Sequence, residues 1–372
     1  AGIDCEIVMT DDLDLALQGA DFVVTQIRVG KLPCRHIDES IPLKHDLIGQ
    51  ETTGIGGFFK ALRTIPVMKN ICDKIEKICP DAWLINFTNP SGIVTEYVLN
   101  NTNVKCIGLC NVPIDMLDDT KEIVGDDAEI KYVGLNHLSW MTSVKVDGEE
   151  KIDELIANGF SPKVMANIKD DGFSLETLAA IHALPSSYLQ YYYCRNAKLE
   201  YLLKGEKSRA QKCMEIEEEL LEMYSDEGLY VKPALLDQRG GHKYSLVAVS
   251  LINAIANDVG DVQVVNIKNG NTLPFLKPDD VIEVPARIGK NGAEPIDLGE
   301  ITNRHIIGLM SIVKEYERYT VEAAKTGSNE AALNALLVHP LVGDWEKALN
   351  CFNEMKEAHK DYLPQFFNTS VN

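Results

Sequence analysis

The stretch Val104-Lys105-Cys106-Ile107-Gly108-Leu109-Cys110-Asn111 decides the fold, because an apolar run is followed at once by polar residues. Similar apolar runs lie earlier in the chain, at residues 22–27 and 82–87, with helical segments in between. Continuous apolar strands that alternate with helices predict a doubly wound, Rossmann-like parallel sheet of the α/β class. Ligands bind at the carboxyl ends of such strands, which is where the polar residues gather here.

After Pro113 the pattern changes to short strands mixed with longer, charged helices. We therefore predict two domains: residues 1–113 form a partial dinucleotide-binding domain, and residues 114–372 form an α+β domain that carries the substrate and the catalytic groups. The predicted strands are 5–10, 22–27, 82–87, 104–109, 130–147, 262–267 and 281–288. The predicted helices are 13–18, 65–79, 149–168, 206–227, 245–256, 303–326, 328–337 and 344–361, and an acidic helix and loop together occupy 115–129.

The composition is that of a globular protein with a strong negative charge. In 372 residues, 36 basic and 56 acidic side chains give a net charge of −20. This charge argues against nucleic acid and anionic membranes as partners, and no apolar run approaches the length of a membrane helix. The nine cysteines are scattered through the chain, which is typical of reduced thiols and predicts a cytoplasmic location.

A glycine-rich turn normally opens a dinucleotide-binding domain, and none precedes Cys5. A βαβ unit takes about 30 residues, so we expect the numbering to begin inside the cofactor domain, with its first βαβ unit missing. The segment Gly54-Ile55-Gly56-Gly57 follows a loop and not a strand, which predicts a mobile loop. Cofactor contacts are expected instead from Thr25, Gln26 and Asn86 at the ends of strands.

Cys110 and His137 are the residues with the most informative chemistry. They lie 27 residues apart. A thiolate and an imidazole make half of a metal site, and such a site leaves positions open for the oxygen atoms of a substrate. The alternative is a buried structural cysteine and a hydrogen-bonded core histidine, and the pair alone does not decide between the two.

A series of short segments carries a family resemblance: Ile27-Arg28-Val29-Gly30, Ile41-Pro42-Leu43-Lys44, Gly49-Gln50-Glu51-Thr52, Asn86-Phe87-Thr88-Asn89-Pro90, Cys110-Asn111-Val112-Pro113, Gly134-Leu135-Asn136-His137, Arg239-Gly240-Gly241 and Val281-Ile282-Glu283-Val284-Pro285. In this order, over nearly the whole chain, they resemble glycoside hydrolase family 4, the NAD- and manganese-dependent glycosidases. The segment at Cys110 resembles the 6-phospho-β-glucosidase branch, whereas the α-type enzymes carry Asp at the position of Asn111.

The resemblance implies a Rossmann-like domain followed by an α+β domain similar to that of lactate and malate dehydrogenases. It implies oxidation, elimination, addition and reduction in place of hydrolysis by two carboxylates. NAD takes a hydride from C3 of the sugar, a tyrosine removes the C2 proton, and the aglycone leaves C1 before water adds and the ketone is reduced. Mn²⁺ or another divalent metal stabilises the enediolate. The expected substrate is a 6-phospho-β-glucoside such as cellobiose 6′-phosphate, and the expected assembly is a homodimer or homotetramer.

Individual roles follow from the matching positions. Cys110 and His137 match the metal ligands, Tyr244 matches the catalytic base, and Glu51 matches an acidic residue that raises the basicity of the tyrosine. A tyrosine also needs a nearby cation to act near neutral pH, which the metal, Lys243 or Arg239 would supply. The implied substrate contacts are Arg35, Asn89, Arg28 and Asn111, and Lys31 lies near Arg28 and Arg35 in sequence, where it could help to hold a 6-phosphate.

Several alternatives stay open on sequence grounds. Within the family, the substrate would be a 6-phospho-α-glucoside. In another class, the chain would be an NAD-dependent hydroxy-acid dehydrogenase, which needs a His–Asp pair, or an inactive sugar-phosphate-binding remnant. For single residues, the plain interpretations are a packed tyrosine at a helix start for Tyr244, a solvated loop residue for Glu51, and surface salt bridges for the basic residues. His242 is a rival for the role of base.

Overall fold

The structure, a computed structural model, describes residues 5–160, 172–239 and 243–367. Its centre is one mixed sheet with the strand order β1-β2-β3-β8-β9-β4-β5-β6, in which β10 also pairs with β9 and β7 with β5. The strands are β1 (Phe22–Thr25), β2 (Trp83–Asn86), β3 (Lys105–Gly108), β4 (Glu129–Leu135), β5 (Leu138–Val146), β6 (Glu149–Glu150), β7 (Leu184–Pro185), β8 (Val262–Lys268), β9 (Val281–Gly289) and β10 (Gly292–Pro295).

The helices connect these strands and pack against the sheet. They are α1 (Leu13–Leu17), α2 (Lys31–Ser40), α3 (Gly54–Ile78), α4 (Ser91–Asn101), α5 (Val112–Val124), α6 (Ile152–Ala157), α7 (Leu175–Ile181), α8 (Gln190–Tyr193), α9 (Arg195–Lys204), α10 (Arg209–Tyr224), α11 (Tyr244–Ala256), α12 (Arg304–Thr326), α13 (Asn329–Val338), α14 (Trp345–Ala358) and α15 (Pro364–Phe367). None of these helices is long and apolar enough to cross a membrane.

The first part of the sheet is parallel and the rest is antiparallel. β1, β2 and β3 run in the same direction, with Val24 opposite Ile85 and Ile85 opposite Ile107. From β3 onward every further pairing is antiparallel. The predicted α/β sheet and the α+β region after it are therefore both confirmed. The division at residue 113 stays a prediction, because strands from both ranges belong to this one sheet.

Two local predictions are wrong. Residues 5–10 form no strand, and Ile7 and Met9 are 84% and 94% exposed, because no described strand lies beside them to complete the backbone hydrogen bonds. The segment 54–57 is not a mobile loop but the buried first turn of α3. The predicted helix 149–168 is shorter, since only α6 forms within 149–160 and residues 161–168 lie outside the described residues.

The glycines in the first turn of α3 are needed for close packing and do not form a loop. A Cβ atom on Gly56 would overlap the carbonyl oxygen of Gln50, and one on Gly57 would overlap the backbone of Thr52. The loop at residues 49–53 therefore lies directly on the helix, at a distance that only glycine allows. This close packing fixes the position of Glu51, which lies in that loop.

Candidate active site

A cavity of about 400 Å³ opens where the carboxyl ends of β1, β2 and β3 meet. Its lining contains most of the side chains that the sequence predicts for the site: Gln26, Arg28, Arg35, Glu51, Asn89, Asn111, His137 and Tyr244. Residues that follow the three parallel strands thus lie on one wall, as expected for an α/β sheet. Cys110, Thr25 and Asn86 are buried and are not part of the lining.

Cys110 lies between β3 and α5 and is buried. Burial raises the pKa of this thiol, and the nearby carboxyl group of Glu283 raises it further. Two donors oppose this effect: the backbone N–H of Val112, in the first turn of α5, and the side-chain amide of Asn136. The charge of Cys110 also reaches the hydroxyl groups of Tyr188 and Tyr244, so the sulfur lies close behind the cavity wall.

His137 is held by backbone and ring contacts. It lies with Asn136 in the two-residue turn between β4 and β5, at a φ of 64°. Its ring stacks on that of Tyr188, with 3.8 Å between centroids and 8° between planes. Burial lowers the pKa of His137 to about 3, so the imidazole is neutral. Its buried Nδ1 has no hydrogen-bond partner, which is the state of a ring nitrogen that can bind a metal ion.

Glu51 is a buried carboxylate surrounded by three cations. Its oxygens pair with Arg28, with Nη1 of Arg35 at 3.1 Å and with Nζ of Lys60 at 2.8 Å. Burial alone would raise the pKa of Glu51, but the charges of Arg35, Lys60 and Arg28 lower it well below its ordinary value. Glu51 is therefore ionised, and the interpretation as a solvated loop residue does not hold.

Tyr244 begins α11 and packs on Phe87, with 5.1 Å between ring centroids. Burial raises the pKa of its hydroxyl, Cys110 and Glu51 raise it further, and Arg28 lowers it. Lys243 does not supply the expected cation, because its ammonium group pairs with Asp115 at 3.1 Å and with Asp118. Residues 240–242 lie outside the described residues, so His242 cannot be compared with Tyr244.

The predicted substrate contacts differ in how far their side chains are already engaged by other protein groups. Arg35 is buried and also pairs with Glu39 at 2.7 Å. Asn89 has a buried Oδ1 without a hydrogen-bond partner, so it can accept a bond from a ligand. Asn111 donates to Asp115 at 3.3 Å. Lys31 is exposed and does not line the cavity.

The predicted cofactor contacts also differ. The side chain of Asn86 is fully engaged by protein atoms: its Oδ1 accepts from Thr25 and Thr88, and its Nδ2 donates to Thr95. Gln26 is exposed in the cavity. Of these predicted contacts, Gln26 has the side chain that is accessible to a ligand.

The lining residues that were not predicted from the sequence as part of the site include Lys60, Tyr188 and Arg209. Burial lowers the pKa of Lys60 to about 8. Arg209 starts α10, and its buried Nε has no partner. Both cations had a sequence signal, because Lys60 interrupts the apolar run of residues 58–62, and Arg209 places a positive charge at a helix N-terminus, where it is unfavourable. Tyr188 had no signal beyond the tyrosine-rich segment around it.

The chain is similar to known glycosidases over almost its full length. Residues 1–126 match Family 4 glycosyl hydrolase and residues 132–342 match the Family 4 glycosyl hydrolase C-terminal domain. A Bacillus subtilis (strain 168) protein named probable 6-phospho-β-glucosidase is 42% identical, across 99% of this chain and 85% of that protein. The 6-phospho-β-glucosidase of Escherichia coli (strain K12) is 39% identical, across 98% of this chain and 84% of that protein.

A solved structure shows the same relationship. The 6-phospho-β-glucosidase of Thermotoga maritima, solved with manganese, NAD⁺ and glucose 6-phosphate, superposes with a TM-score of 0.85 at 35% identity. The superposition covers 95% of this chain and 84% of that one.

Proposed function

The chain belongs to glycosyl hydrolase family 4, and on that premise we propose that it hydrolyses 6-phospho-β-glucosides, such as cellobiose 6′-phosphate, to glucose 6-phosphate and an aglycone. The observation that carries the proposal is the charge of the cavity. In a chain of net charge −20, the described lining has one carboxylate, Glu51, and five cationic side chains, which are Arg28, Arg35, Lys60, Arg209 and Arg239. Such a lining favours a phosphorylated sugar over a neutral one.

Cys110 and His137 fit a divalent metal ion whose other positions are filled by the substrate. The sulfur has two N–H donors that favour the thiolate, and the imidazole has a free nitrogen. Among the described residues, no group of three or more His, Cys, Asp or Glu side chains could hold a metal alone. When bound, Mn²⁺ would act as a Lewis acid on the sugar oxygens, and NAD would accept a hydride from C3 and return it.

The side chains of the cavity divide the remaining work. Tyr244 would remove the C2 proton, and the ionised Glu51 increases the basicity of its hydroxyl. The free Nε–H of Arg209 would donate to the phosphate, and the free Oδ1 of Asn89 would accept a bond from a sugar hydroxyl. Gln26 would face the reactive end of NAD at the carboxyl end of β1.

The alternatives have weaker support. The two relatives at 42% and 39% identity are both named for β-glycosides, which favours the β substrate over the α substrate. A hydroxy-acid dehydrogenase needs a His–Asp pair, but the described part of the cavity wall has His137 stacked on Tyr188 and contains no aspartate. Nothing observed specifically favours an inactive remnant.

We also propose that the protein is a homodimer or homotetramer of the cytoplasm. An apolar groove between α5 and α11, with exposed Leu246 and Val249 near it, supports self-association. All nine cysteines are free, as expected in a reducing compartment. Light scattering of the purified protein measures the first point, and a monomer at working concentration would reject it.

The decisive experiment compares 4-nitrophenyl β-glucoside 6-phosphate with its unphosphorylated form and its α anomer, with NAD and Mn²⁺ present. We expect cleavage of the phosphorylated β substrate alone. Turnover in D₂O should place deuterium at C2 of glucose 6-phosphate, and Tyr244→Phe should reduce both cleavage and exchange. Product without deuterium at C2, from an active enzyme, would overturn the elimination mechanism.

A further inference from the structure

A row of four residues crosses the centre of the sheet and joins the two segments that lead to the metal ligands. Gly108 of β3 lies opposite Asn266 of β8, Asn266 opposite Glu283 of β9, and Glu283 opposite Gly134 of β4. A Cβ atom on Gly108 would come within 2.9 Å of the Asn266 Cβ, so the row is closely packed. The ligand-bearing ends of β3 and β4 are thus connected through the two side chains between them.

Glu283 is the central residue of this row, and it is only 1% exposed. Its carboxylate accepts three hydrogen bonds: from the hydroxyl of Tyr132 at 2.7 Å, from Nδ2 of Asn136 at 3.0 Å and from Nδ2 of Asn266 at 3.0 Å. All three partners donate and none is charged, which matches the acceptor-only chemistry of an ionised carboxyl group. No ion pair of Glu283 occurs among the described residues.

Asn136 connects this carboxylate to the metal site. An amide nitrogen carries two N–H bonds. One N–H of Asn136 donates to Glu283, and the same side chain lies close enough to Cys110 to lower the pKa of its thiol. Asn136 also directly precedes His137 in the turn between β4 and β5. The orientation of the Asn136 amide beside Cys110 is therefore set by its bond to Glu283.

We propose that Glu283 is a positioning residue of the metal site: its carboxylate orients the amide of Asn136, and this amide holds the sulfur of Cys110 in place as a ligand. The inference rests on the proposed function, because it takes Cys110 and His137 as ligands of the divalent metal. Neither Glu283 nor Asn136 lines the cavity, so neither contacts the substrate. Groups that hold a metal ligand from behind change metal affinity by about 10- to 100-fold.

The test compares two asparagines that donate to the same oxygen of Glu283 at the same distance of 3.0 Å. Asn136→Ala removes the amide that lies beside Cys110, whereas Asn266→Ala removes only an amide that donates to Glu283. Mn²⁺ affinity is measured from the electron paramagnetic resonance signal of free Mn²⁺, in the presence of glucose 6-phosphate. We expect affinity to fall about 10- to 100-fold in Asn136→Ala and by less than about threefold in Asn266→Ala.

Glu283 itself is tested by a pair of variants of similar size, one of which keeps a hydrogen-bond acceptor and one of which does not. Glu283→Gln keeps an oxygen that accepts from Asn136, and Glu283→Leu removes it. The glutamine variant should keep most of the Mn²⁺ affinity, and the leucine variant should lose as much as Asn136→Ala does. If the leucine variant does not fold, the asparagine pair still decides, because Glu283 keeps two of its three donors in either case.

A spectroscopic measurement separates this inference from the proposed function. Cd²⁺ bound to the Cys110 sulfur gives a thiolate charge-transfer absorption, which should weaken in Asn136→Ala and persist in Asn266→Ala. If the wild type binds neither Mn²⁺ nor Cd²⁺, the metal site of the proposed function fails and the inference with it. If the wild type binds both and the asparagine variants bind equally well, only the role of Glu283 and Asn136 is rejected.

Discussion

Glu51 and Glu283 are two buried carboxyl groups that flank the proposed metal ligands, Cys110 and His137, in opposite electrostatic surroundings. Glu51 lies on the cavity wall near His137 and has three cations around it, which lower its pKa well below the ordinary value. Glu283 lies behind Cys110 with neutral donors only, and burial raises its pKa. The wall that meets an anionic substrate therefore has excess positive charge, and the region behind the ligands is organised by dipoles alone.

The largest expected effect comes from substituting either member of the proposed ligand pair, Cys110 and His137, which the two carboxyl groups flank. Cys110→Ser and His137→Ala should each lower kcat/KM by about a thousandfold or more, because each removes half of the protein's hold on the metal. An excess of chelator should have the same effect on the wild type, and Mn²⁺ should reverse it. Full turnover in chelator, with no metal found in the protein by elemental analysis, would reject the metal site.

The next effect is on folding stability. Glu51→Gln leaves Arg28, Arg35 and Lys60 around a neutral side chain, so the free energy of unfolding in urea should fall by about 3 kcal/mol. Glu283→Gln keeps acceptors for neutral donors and should cost about 1 kcal/mol or less. Equal losses in the two variants would mean that the two surroundings do not differ as described.

The two carboxyl groups should also respond to pH with opposite sign. The pKa of Glu51 is lowered in the folded state, so its contribution is present above the ordinary value of 4.5 and is lost as the pH falls below it. The pKa of Glu283 is raised, so its contribution is present below 4.5 and is lost as the pH rises. In metal-free protein, the stability difference from wild type should therefore shrink toward acid for Glu51→Gln and toward neutral pH for Glu283→Gln. Parallel pH curves would contradict this.

A smaller effect concerns the charge of Lys60, whose pKa burial lowers to about 8. Above that pH the cavity loses one cation, so KM for the phosphorylated substrate should rise by about threefold between pH 7 and 9. The substrate phosphate is already fully charged in this range, since its second pKa is about 6. Lys60→Arg stays charged and should show a flat KM profile. A wild-type profile that is equally flat would mean that the charge of Lys60 does not contribute to binding of the phosphorylated substrate.

The smallest effect is expected at Lys31. This residue is close in sequence to Arg28 and Arg35, which line the cavity, but it is exposed and does not line the cavity itself. Lys31→Ala should change kcat/KM by less than about twofold, as for most surface substitutions. Arg209→Gln is the matched comparison, because it removes a cation that does line the cavity. A loss in the Lys31 variant as large as in the Arg209 variant would mean that proximity in sequence predicts the phosphate site better than the structure does.

Much of the fold followed from the sequence because the buried strands carry a clear apolar pattern. The exceptions had a physical cause. Residues 5–10 have the pattern of a strand, but a strand also needs a neighbour to hydrogen-bond with. Gly54, Gly56 and Gly57 have the composition of a loop, but they lie in the first turn of α3, where Gly56 and Gly57 let the loop at residues 49–53 pack directly on the helix.

Short segments identified Cys110, His137 and Glu51 as candidates for the site, and the structure places all three at or directly behind one cavity. The partners of these residues were not predictable, because they come from distant parts of the chain. Lys60 pairs with Glu51 from within a long helix. Glu283 belongs to a segment that the sequence analysis singled out, yet its contacts with Asn136 and Asn266 depend on the register of three strands.

The order of strands in the sheet sets when a newly made chain can complete its metal site. Both proposed metal ligands, Cys110 and His137, have been synthesised by residue 137, but β8 and β9 lie between β3 and β4 in the sheet. Glu283 comes 147 residues after Asn136 in the chain. The ligands are therefore held in place only after these two late strands insert at the centre, a long-range event that is slow by its topology. Capture of the metal would mark a chain that has finished folding.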